Sequence, residues 1–422
     1  MDITAMTKLP QDGTAWSELK HRLRKMKQDD YAWKAGRLPI FVYYYNEELL
    51  RVSQDSYIEF FSENALGRGK AFPSVGKLET EVIEMSTELL GGGPRAGGTF
   101  TSGGTESIFL ALKTAREWAR KEKGIVCPKI VMPLSGHAVA DKAAGYLGMD
   151  VVRTPLRSDF RADMGLLRAA IDERTCMVYA SAPGYPHGVF DPIEEIGALA
   201  KKRGVWFHVD ACVGGFLAPF AREIGYHIPA FDLSVPGVCS LSADLHKYGF
   251  TPKGASLLLF AEREHQKYQR FEFSNWPRGA YVTDTFQGTR AAGPIASAWA
   301  VMNTLGHAGY REIARVIMDA MERLAAGIEQ IRGLRIIRPS DLCILLYDSI
   351  DPSVDIYAVA DCMDEKGWYV GKSAVPKAIH IALNPVVVTA LDNYLFDLAA
   401  CVEHVRSTPG YTPASVSAPA IS

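Results

Sequence analysis

The sequence predicts an α/β protein with a large domain, whose mostly parallel central sheet is flanked by helices, and a small C-terminal α+β domain. Between about residues 61 and 305, short apolar runs such as KIVMPL, CMVYASA, VWFHVDA and LSVPGV alternate with helical segments such as ESIFLALKTAREWARK. This alternation is typical of parallel strands joined by crossover helices. After residue 305 comes a long amphipathic segment, followed by the short apolar runs LRIIRP, LCILLYD and AIHIALN, a pattern that favours a small α+β domain.

The same pattern divides the chain into four segments. Residues 1–60 are helical and aromatic, and we expect them to form an arm that packs on something else. Residues 61–305 form the predicted large domain and residues 306–406 the predicted small domain. The last segment, 407–422, is rich in Pro, Ser and Ala with little to bury, so we expect disorder there.

Composition and charge exclude several classes of function. The formal net charge of -2 gives no electrostatic reason to expect nucleic-acid binding. The longest apolar stretches are far below the roughly 18 residues that span a bilayer, and the N-terminus lacks the apolar region of a secretory signal. We therefore expect a cytoplasmic protein. Seven cysteines are scattered without a CxxC pair, which predicts buried thiols and no metal site.

The stretch TFTSGGTESIFLAL predicts an anion site ahead of a helix. Free N–H groups and the positive end of a helix dipole attract anions, and Gly103 and Gly104 let the backbone approach a phosphate. Ser102 or Thr105 would add a hydroxyl. An ordinary Ser or Thr helix cap is the alternative.

Two further polar residues follow apolar runs, and ligands of open parallel sheets gather where such strands end. His137, after KIVMPL, could lie flat on an aromatic cofactor ring; a hydrogen-bonded structural histidine is the alternative. Asp210, at the end of VWFHVD, needs a partner because a buried carboxylate is costly without one. A protonated ring nitrogen would supply that partner, whereas a surface aspartate would need none.

The stretch SADLHKYGFTPKG holds two lysines six positions apart. Desolvation among small and aromatic neighbours lowers the pKa of a lysine amine, as a Schiff-base lysine requires, and Lys247 fits this description. His246 could contact a cofactor or its phosphate, and Lys253 offers a second cation toward an anionic substrate. In the stretch FQGTRAAGPI, Gly288, Thr289 and Arg290 could close an anion site.

Taken together, these parts match one cofactor. A phosphate-binding turn, a ring-stacking histidine, a carboxylate for a pyridinium nitrogen and a Schiff-base lysine are what pyridoxal 5′-phosphate requires. The combination is more specific than any of its members.

The motifs TSGGTESI, GHAVADKAAGYLGM, YPHGVFDPIEEI, HVDACVGGFL, SADLHKYGFTPKG and GTR also resemble the sphingosine-1-phosphate lyase family over about residues 37 to 400. That family is a branch of the group II decarboxylase-like, fold-type I pyridoxal phosphate enzymes. The resemblance implies that fold and a homodimer with active sites at the subunit interface. It implies retro-aldol cleavage of a phosphorylated long-chain base to a long-chain aldehyde and phosphoethanolamine.

The resemblance also implies roles for individual residues. Lys247 would form the Schiff base, Asp210 would contact the pyridine nitrogen and His137 would stack on the ring. The residues implied near the cofactor phosphate are Gly104, Thr105, His246 and, from the partner subunit, Thr289. Tyr43 and Asn64 match positions that reach the substrate phosphate from the neighbouring chain, and Lys253 matches a second lysine of the family.

One departure keeps other functions open. The family pattern NPLH is NALG here, residues 64–67, so Gly67 replaces a histidine expected to help bind the substrate phosphate. The alternative to the lyase function is therefore a pyridoxal phosphate-dependent amino-acid decarboxylase of the group II type. A binding or scaffold protein is a third interpretation, which the presence of Lys247, Asp210 and His137 argues against. The base that takes the substrate's hydroxyl proton stays open among Tyr43, Lys253 and the substrate's own phosphate.

Overall fold

The computed structural model describes residues 8–408 of the chain. Its strands are β1 (Gly97–Thr101), β2 (Lys129–Pro133), β3 (Asp150–Thr154), β4 (Thr175–Ser181), β5 (Trp206–Asp210), β6 (Ser240–Ala243), β7 (Ser256–Phe260), β8 (Phe271–Phe273), β9 (Tyr281–Thr283), β10 (Leu334–Ile337), β11 (Ile344–Ser349), β12 (Gly371–Ser373) and β13 (Ala378–Ala382). Its helices are α1 (Trp16–Met26), α2 (Glu47–Glu59), α3 (Pro73–Leu89), α4 (Gly104–Lys123), α5 (Val139–Leu147), α6 (Met164–Ala170), α7 (Ile193–Arg203), α8 (Ala218–Glu223), α9 (Gln266–Gln269), α10 (Gly293–Gln330), α11 (Ile356–Glu365), α12 (Pro385–Val388) and α13 (Leu391–Ser407).

The large domain is built on a seven-stranded sheet of order β1-β7-β6-β5-β4-β2-β3. Strands β6, β5, β4, β2 and β3 are parallel, and β7 runs antiparallel to both of its neighbours. Val131 and Val178 belong to one apolar core and their chain neighbours Ile130 and Met177 to another, because successive side chains point to opposite faces. The predicted mostly parallel sheet between layers of helices is confirmed.

Strand register brings polar side chains together at the carboxyl edge of this sheet. Ser181 at the end of β4 pairs with Asp210 at the end of β5, and Asp210 pairs with Ser242 in β6. Parallel neighbours end at the same edge, so residues far apart in sequence meet there. The edge therefore holds Asp210 between two hydroxyl-bearing residues.

Crossover helices α4 and α7 end where the sequence supplies a glycine. Gly124 and Gly204 follow their last residues with φ of +67° and +60°, a left-handed conformation that costs glycine little. Basic side chains fill the last turn of both helices and favour the negative end of the helix dipole. Each helix can then stop and return the chain to the next strand.

The small domain contains a four-stranded antiparallel sheet of order β10-β11-β13-β12, with α11 and α13 packed together beside it. Helix α10 leads into it and is interrupted at Gly306, whose φ of +52° and ψ of -173° are not helical. The interruption lies next to position 305, where the sequence predicts the end of the large domain, and that boundary stays a prediction.

The N-terminal segment packs on its own chain through α2, whereas α1 has no buried residue. Helix α2 lies against α10, and Ser297 Oγ donates a hydrogen bond of 2.7 Å to the carbonyl oxygen of Ser53. The tail expected to be disordered lies outside the described residues from position 409 onward. Across residues 8–408, no helix combines the length and the apolar character that crossing a bilayer requires.

One apolar run in the predicted alternation, LSVPGV at residues 233–238, forms turns. Pro236 has no N–H to donate to a strand ladder, and Gly237 has a φ of +100°. The strand begins only at Ser240.

Candidate active site

A cavity of about 510 Å³ opens at the carboxyl edge of the sheet. Ten of the residues singled out from the sequence line it: Tyr43, Ser102, Gly103, Gly104, Thr105, His137, Asp210, His246, Lys247 and Lys253. They come from the N-terminal segment, the start of α4 and the loops after β2, β5 and β6. The fold thus brings together in one cavity side chains that span half of the chain, from Tyr43 to Lys253.

Asp210 is a buried carboxylate with three hydrogen-bond donors. Tyr179 donates its hydroxyl to Oδ2, while the Cys212 N–H and Ser242 Oγ donate to Oδ1 at 3.0 and 3.2 Å. Burial opposes ionisation, but the hydrogen bonds from Cys212 and Tyr179 outweigh it and hold the pKa of Asp210 below its ordinary value. The cavity floor therefore carries a fixed negative charge.

Lys247 forms an ion pair that sequence reasoning missed. Its Nζ lies 2.9 Å from Oδ2 of Asp244, which is buried in the same loop. Burial by itself would lower the pKa of the amine, as expected from the sequence. The negative charge of Asp244, with smaller contributions from Cys212 and Tyr43, outweighs burial and raises the pKa of Lys247. The expected direction is wrong because the nearby carboxylate was not considered.

The turn before α4 is shaped for close approach. Gly103 has a φ of +157° and occupies the N-cap position, where no side chain caps the helix. Ser102 donates both its N–H and its hydroxyl to Oε2 of Glu106, at 2.7 and 2.6 Å. Neither Ser102 nor Thr105 therefore forms the ordinary side-chain cap that was the alternative. The first N–H groups of the helix border the cavity and can bind an anion.

Two histidines face the cavity in their neutral form. Burial lowers the pKa of His137, whose Nδ1 accepts a hydrogen bond of 3.1 Å from the Val139 N–H. Burial also lowers the pKa of His246 to about 4, although Asp244 opposes the change. A neutral imidazole can stack on a flat ring or donate a single N–H without adding charge.

Tyr43 and Lys253 lie together at the cavity wall. Lys253 Nζ is 4.9 Å from the centroid of the Tyr43 ring and donates to the carbonyl oxygen of His246 at 3.0 Å. Burial, followed by the charge of Lys247, lowers the pKa of Lys253 to about 8. Tyr43 packs edge-on against Tyr248 of its own chain, so it lines this chain's own cavity, where the resemblance implied the neighbouring one.

Asn64, Gly288 and Thr289 do not line this cavity. Asn64 and Thr289 nevertheless touch each other, with Asn64 Nδ2 3.4 Å from Thr289 Oγ1. Residues 64 and 291 also form an isolated β-bridge. The fold therefore brings Asn64 and Thr289 together outside this cavity, and Gly288 precedes Thr289 in the same loop.

Arg290 occupies the interior of the large domain. Its guanidinium pairs with both carboxylate oxygens of Glu79, at 2.8 and 3.3 Å, and donates to the carbonyl oxygen of Phe100 at 3.2 Å. Both side chains of the pair are 6% exposed. The geometry assigns this guanidinium to a buried ion pair, not to the substrate contact suggested by the sequence.

Sequence reasoning also missed Tyr185, Tyr179 and Glu106. Tyr185 lines the cavity with its ring 6.4 Å from His137, and its carbonyl oxygen is hydrogen-bonded to His380 Nε2. Glu106 ties the helix start to the loop before α10 by accepting the Phe286 N–H at 2.8 Å. Among the site residues that sequence reasoning missed, only Asp244 could have been found from a local pattern. It lies three positions before Lys247, and a carboxylate and a lysine at this spacing commonly pair.

Comparisons with known proteins agree with this geometry. Residues 69–345 match the pyridoxal-dependent decarboxylase conserved domain. The chain is 44% identical over 344 residues to a sphingosine-1-phosphate lyase of Arabidopsis thaliana, covering 80% of this chain and 63% of that protein. It is 40% identical over 415 residues to the sphingosine-1-phosphate lyase of Oryza sativa subsp. japonica, covering 96% of this chain and 76% of that protein.

A solved structure extends this likeness to the fold. The sphingosine-1-phosphate lyase of Burkholderia pseudomallei superimposes with a TM-score of 0.90 at 34% identity, covering 96% of this chain and 94% of that one. The chain belongs to the sphingosine-1-phosphate lyase family. Its architecture is accordingly the fold-type I arrangement of pyridoxal phosphate enzymes, and this lyase family member uses pyridoxal 5′-phosphate as its cofactor.

The residues of this lyase family member fit that cofactor. The Gly103–Gly104 turn presents N–H groups to a phosphate, and a Cβ at Gly103 would lie 3.4 Å from His246 Cε1. Among the described residues, the buried His246 Nδ1 and Asp244 Oδ1 have no hydrogen-bond partner. Asp210 would supply the carboxylate for a ring nitrogen, and Lys247 would supply the amine for the covalent link.

The buried ion pair predicts a large stability effect. We expect Arg290→Met to lower the free energy of unfolding by about 3 kcal/mol, because Glu79 would keep a buried charge after losing its main partner. Arg335, which is 61% exposed and pairs with Asp348, is the matched control, and Arg335→Met should cost at most about 1 kcal/mol. Urea unfolding measures both. Equal effects of the two substitutions would contradict the structural role of Arg290.

His208, beneath Asp210, predicts acid sensitivity. It is fully buried and hydrogen-bonded to Ser240 Oγ at 2.9 Å, and burial lowers its pKa from 6.5 to about 4. Between those two pH values the unfolded chain binds a proton that the folded chain does not. Stability is therefore lost as pH falls from 6.5 toward 4.

The variant His208→Gln should reduce this pH dependence. We expect the slope of unfolding free energy against pH in that window to fall by about 1 kcal/mol per pH unit. Urea unfolding at a series of pH values measures the slope. A variant with the wild-type slope would show that His208 is not the group responsible.

Proposed function

We propose that this chain cleaves a phosphorylated long-chain base, of the sphingosine-1-phosphate type, by a retro-aldol reaction to a long-chain aldehyde and phosphoethanolamine. One observation carries the proposal. The cavity combines a buried, ionised Asp210, the Lys247 amine, the helix start at Gly104 and a second cation, Lys253. Membership of the sphingosine-1-phosphate lyase family supports the substrate class.

Pyridoxal phosphate supplies an electron sink for the carbanion that bond cleavage leaves behind. The chain's own residues prepare the site for it. Asp210, ionised and held by Tyr179 and Cys212, would keep a ring nitrogen protonated. Neutral His137 would provide a flat face without competing for that charge, and the start of α4 would bind the phosphate.

The environments of Lys253 and Tyr43 favour different roles in moving the hydroxyl proton. Burial raises the pKa of Tyr43, so its phenol stays protonated near neutral pH and suits donation. Lys253, with its pKa lowered to about 8, has an appreciable neutral fraction near neutral pH. Lys253 is thus the better candidate for the base, and its cationic form would attract a substrate phosphate.

A groove that continues from the cavity supports an apolar substrate tail. It has a volume of about 1090 Å³ and shares Phe41, Tyr43 and Lys253 with the cavity. Aromatic and aliphatic side chains line much of the rest, including Tyr45 and Leu49 from the N-terminal segment and Phe250 from the loop after β6. An alkyl chain entering it would leave its polar head beside Lys253.

A homodimer with shared active sites is part of the proposal. The contact between Asn64 and Thr289 supports it, because these two residues lie outside this chain's own cavity and could reach that of a neighbouring chain. A cytoplasmic location also stays a prediction.

Gly67 leaves the requirement for a substrate phosphate as a question for experiment. A Cβ there would lie 3.1 Å from the Phe72 ring and 3.2 Å from Ala71 Cβ, so a larger side chain needs both to shift.

Amino-acid decarboxylation is the second candidate function, which the match to the decarboxylase domain keeps open. A panel of phosphorylated long-chain bases, unphosphorylated ones and amino acids, assayed for aldehyde and for carbon dioxide, separates the two.

We expect Lys247→Ala to abolish aldehyde formation and the visible absorbance of the bound cofactor, because the amine that forms the covalent link is gone. Borohydride reduction followed by mass spectrometry should locate the cofactor on Lys247 in the wild-type chain. Lys201→Ala, at an exposed position of α7, is the control and should behave as wild type. Full turnover by Lys247→Ala would overturn the proposal.

The lowered pKa of Lys253 predicts a pH-dependent KM. Its ammonium form predominates below about pH 8 and is lost above it. We expect KM for a phosphorylated base to rise as pH passes through 8, while KM for its unphosphorylated analogue stays level.

In Lys253→Gln the KM for the phosphorylated base should be about tenfold higher at pH 7, as loss of one charged hydrogen bond implies. Its KM should also no longer depend on pH in this range. If the wild-type chain shows equal pH dependence for both bases, Lys253 does not bind the phosphate.

A further inference from the structure

Asp244 is a buried carboxylate whose position points to a role beyond folding. It follows β6 directly, is 2% exposed and lies three residues before Lys247. Its Oδ2 atom is 2.9 Å from Lys247 Nζ and 3.6 Å from His246 Nε2. The carboxylate thus contacts the one amine on which the covalent chemistry depends.

The surroundings hold this carboxylate in place. A Cβ at Gly104 would lie 2.9 Å from both of its oxygens, so the absence of a side chain there leaves the space that Asp244 fills. The same Cβ would be 3.0 Å from Cys212 Sγ, so this sulfur also lies beside that space. Asp244 Oδ1 is buried without a hydrogen-bond partner in residues 8–408. Such a group is costly, and a charge at Lys247 Nζ is what compensates for it.

We infer that Asp244 is a positioning residue that holds Lys247 Nζ in place and stabilises positive charge on that nitrogen. The inference rests on the proposed attachment of the cofactor at Lys247. An opposite charge within hydrogen-bond distance favours the protonated form of any nitrogen group at that position. As a free amine, Nζ would therefore be held beside Asp244 in its protonated form, from which it could donate a proton.

Other charged or titratable groups surround the pair on every side. They are His246 and Lys253 from the same loop, Glu106 in the first turn of α4, Asp210 at the end of β5, Cys212 after it, His137 after β2, Tyr185 after β4, Tyr43 from the N-terminal segment and Cys343 before β11. Lys253 and Lys247 repel each other, which lowers the pKa of Lys253. Among the carboxylates that line the cavity, Asp244 is the one that contacts Lys247 Nζ directly.

The pH dependence of the visible absorbance of the holoenzyme tests this role. The band reports protonation at the nitrogen that links Lys247 to the cofactor, so its midpoint measures how strongly the site favours positive charge. In Asp244→Asn, which keeps the size of the side chain and removes its charge, we expect the midpoint to fall by about 1–3 pH units. A midpoint equal to that of the wild type overturns the inference.

Asp232→Asn is the matched control. Asp232 is also buried, at 6% exposure, and accepts the Ser234 N–H at 3.1 Å, but it does not line the cavity. We expect this variant to keep the wild-type midpoint. A similar fall in both variants would mean that a general loss of stability, not the contact at Nζ, moves the midpoint, and would overturn the inference.

A second measurement needs no variant. Cofactor-free wild-type chain is mixed with pyridoxal phosphate, and the rate constant for gain of visible absorbance is recorded against pH. An amine held as ammonium must lose its proton before it attacks, so the rate should rise about tenfold per pH unit up to about pH 10. A rate that is already level above about pH 8 contradicts the stabilising role of Asp244.

These outcomes distinguish this inference from the proposed function. If borohydride fixes the cofactor on a residue other than Lys247, the proposed attachment is wrong. If it fixes the cofactor on Lys247 and Asp244→Asn leaves the midpoint unchanged, the attachment stands and the role of Asp244 alone is wrong.

Discussion

Burial of the Asp210 charge is the constraint on which the rest of the site depends. An ionised carboxylate in an apolar interior costs several kcal/mol unless donors surround it. Here the donors come from β4, through Tyr179, from the turn after β5, through the Cys212 N–H, and from β6, through Ser242. Three parallel strands must therefore be adjacent and in register. The strand order of the large domain therefore determines whether the Asp210 carboxylate can stay ionised in the site.

The cavity uses two lysines in opposite electrostatic settings. Lys247 lies against Asp244, and that carboxylate raises its pKa in spite of burial. Lys253, six residues later, is bonded to a carbonyl oxygen, and burial lowers its pKa to about 8. One loop therefore supplies a nitrogen that keeps its positive charge and another that titrates near neutral pH. Retro-aldol cleavage needs both a retained charge and a mobile proton.

Much of the fold and site could be predicted from the sequence because its signals are local. Apolar runs such as VWFHVD become buried strands, and their polar last residues mark the edge where ligands bind. Other features depend on long-range contacts. The pairing of Arg290 with Glu79, and the contact of Asn64 with Thr289, join segments more than 200 residues apart, and nothing in either segment signals its partner. The LSVPGV run was included among the regular elements because it is apolar, but Pro236 and Gly237 make it form turns.

The sequence by itself determined the α/β class, the motif order that identifies the family and, through the family, the cofactor. It also singled out the lysine and the aspartate that we propose for that cofactor. These follow from residue types at short spacings, whose chemistry does not depend on distant contacts. The tertiary structure decided which charges meet. Asp244 lies beside Lys247 and raises the pKa of its amine. Arg290 is buried in an ion pair with Glu79, and Tyr43 lines the cavity of its own chain. Electrostatic interactions depend on distance and burial, and both are set only when the chain has folded.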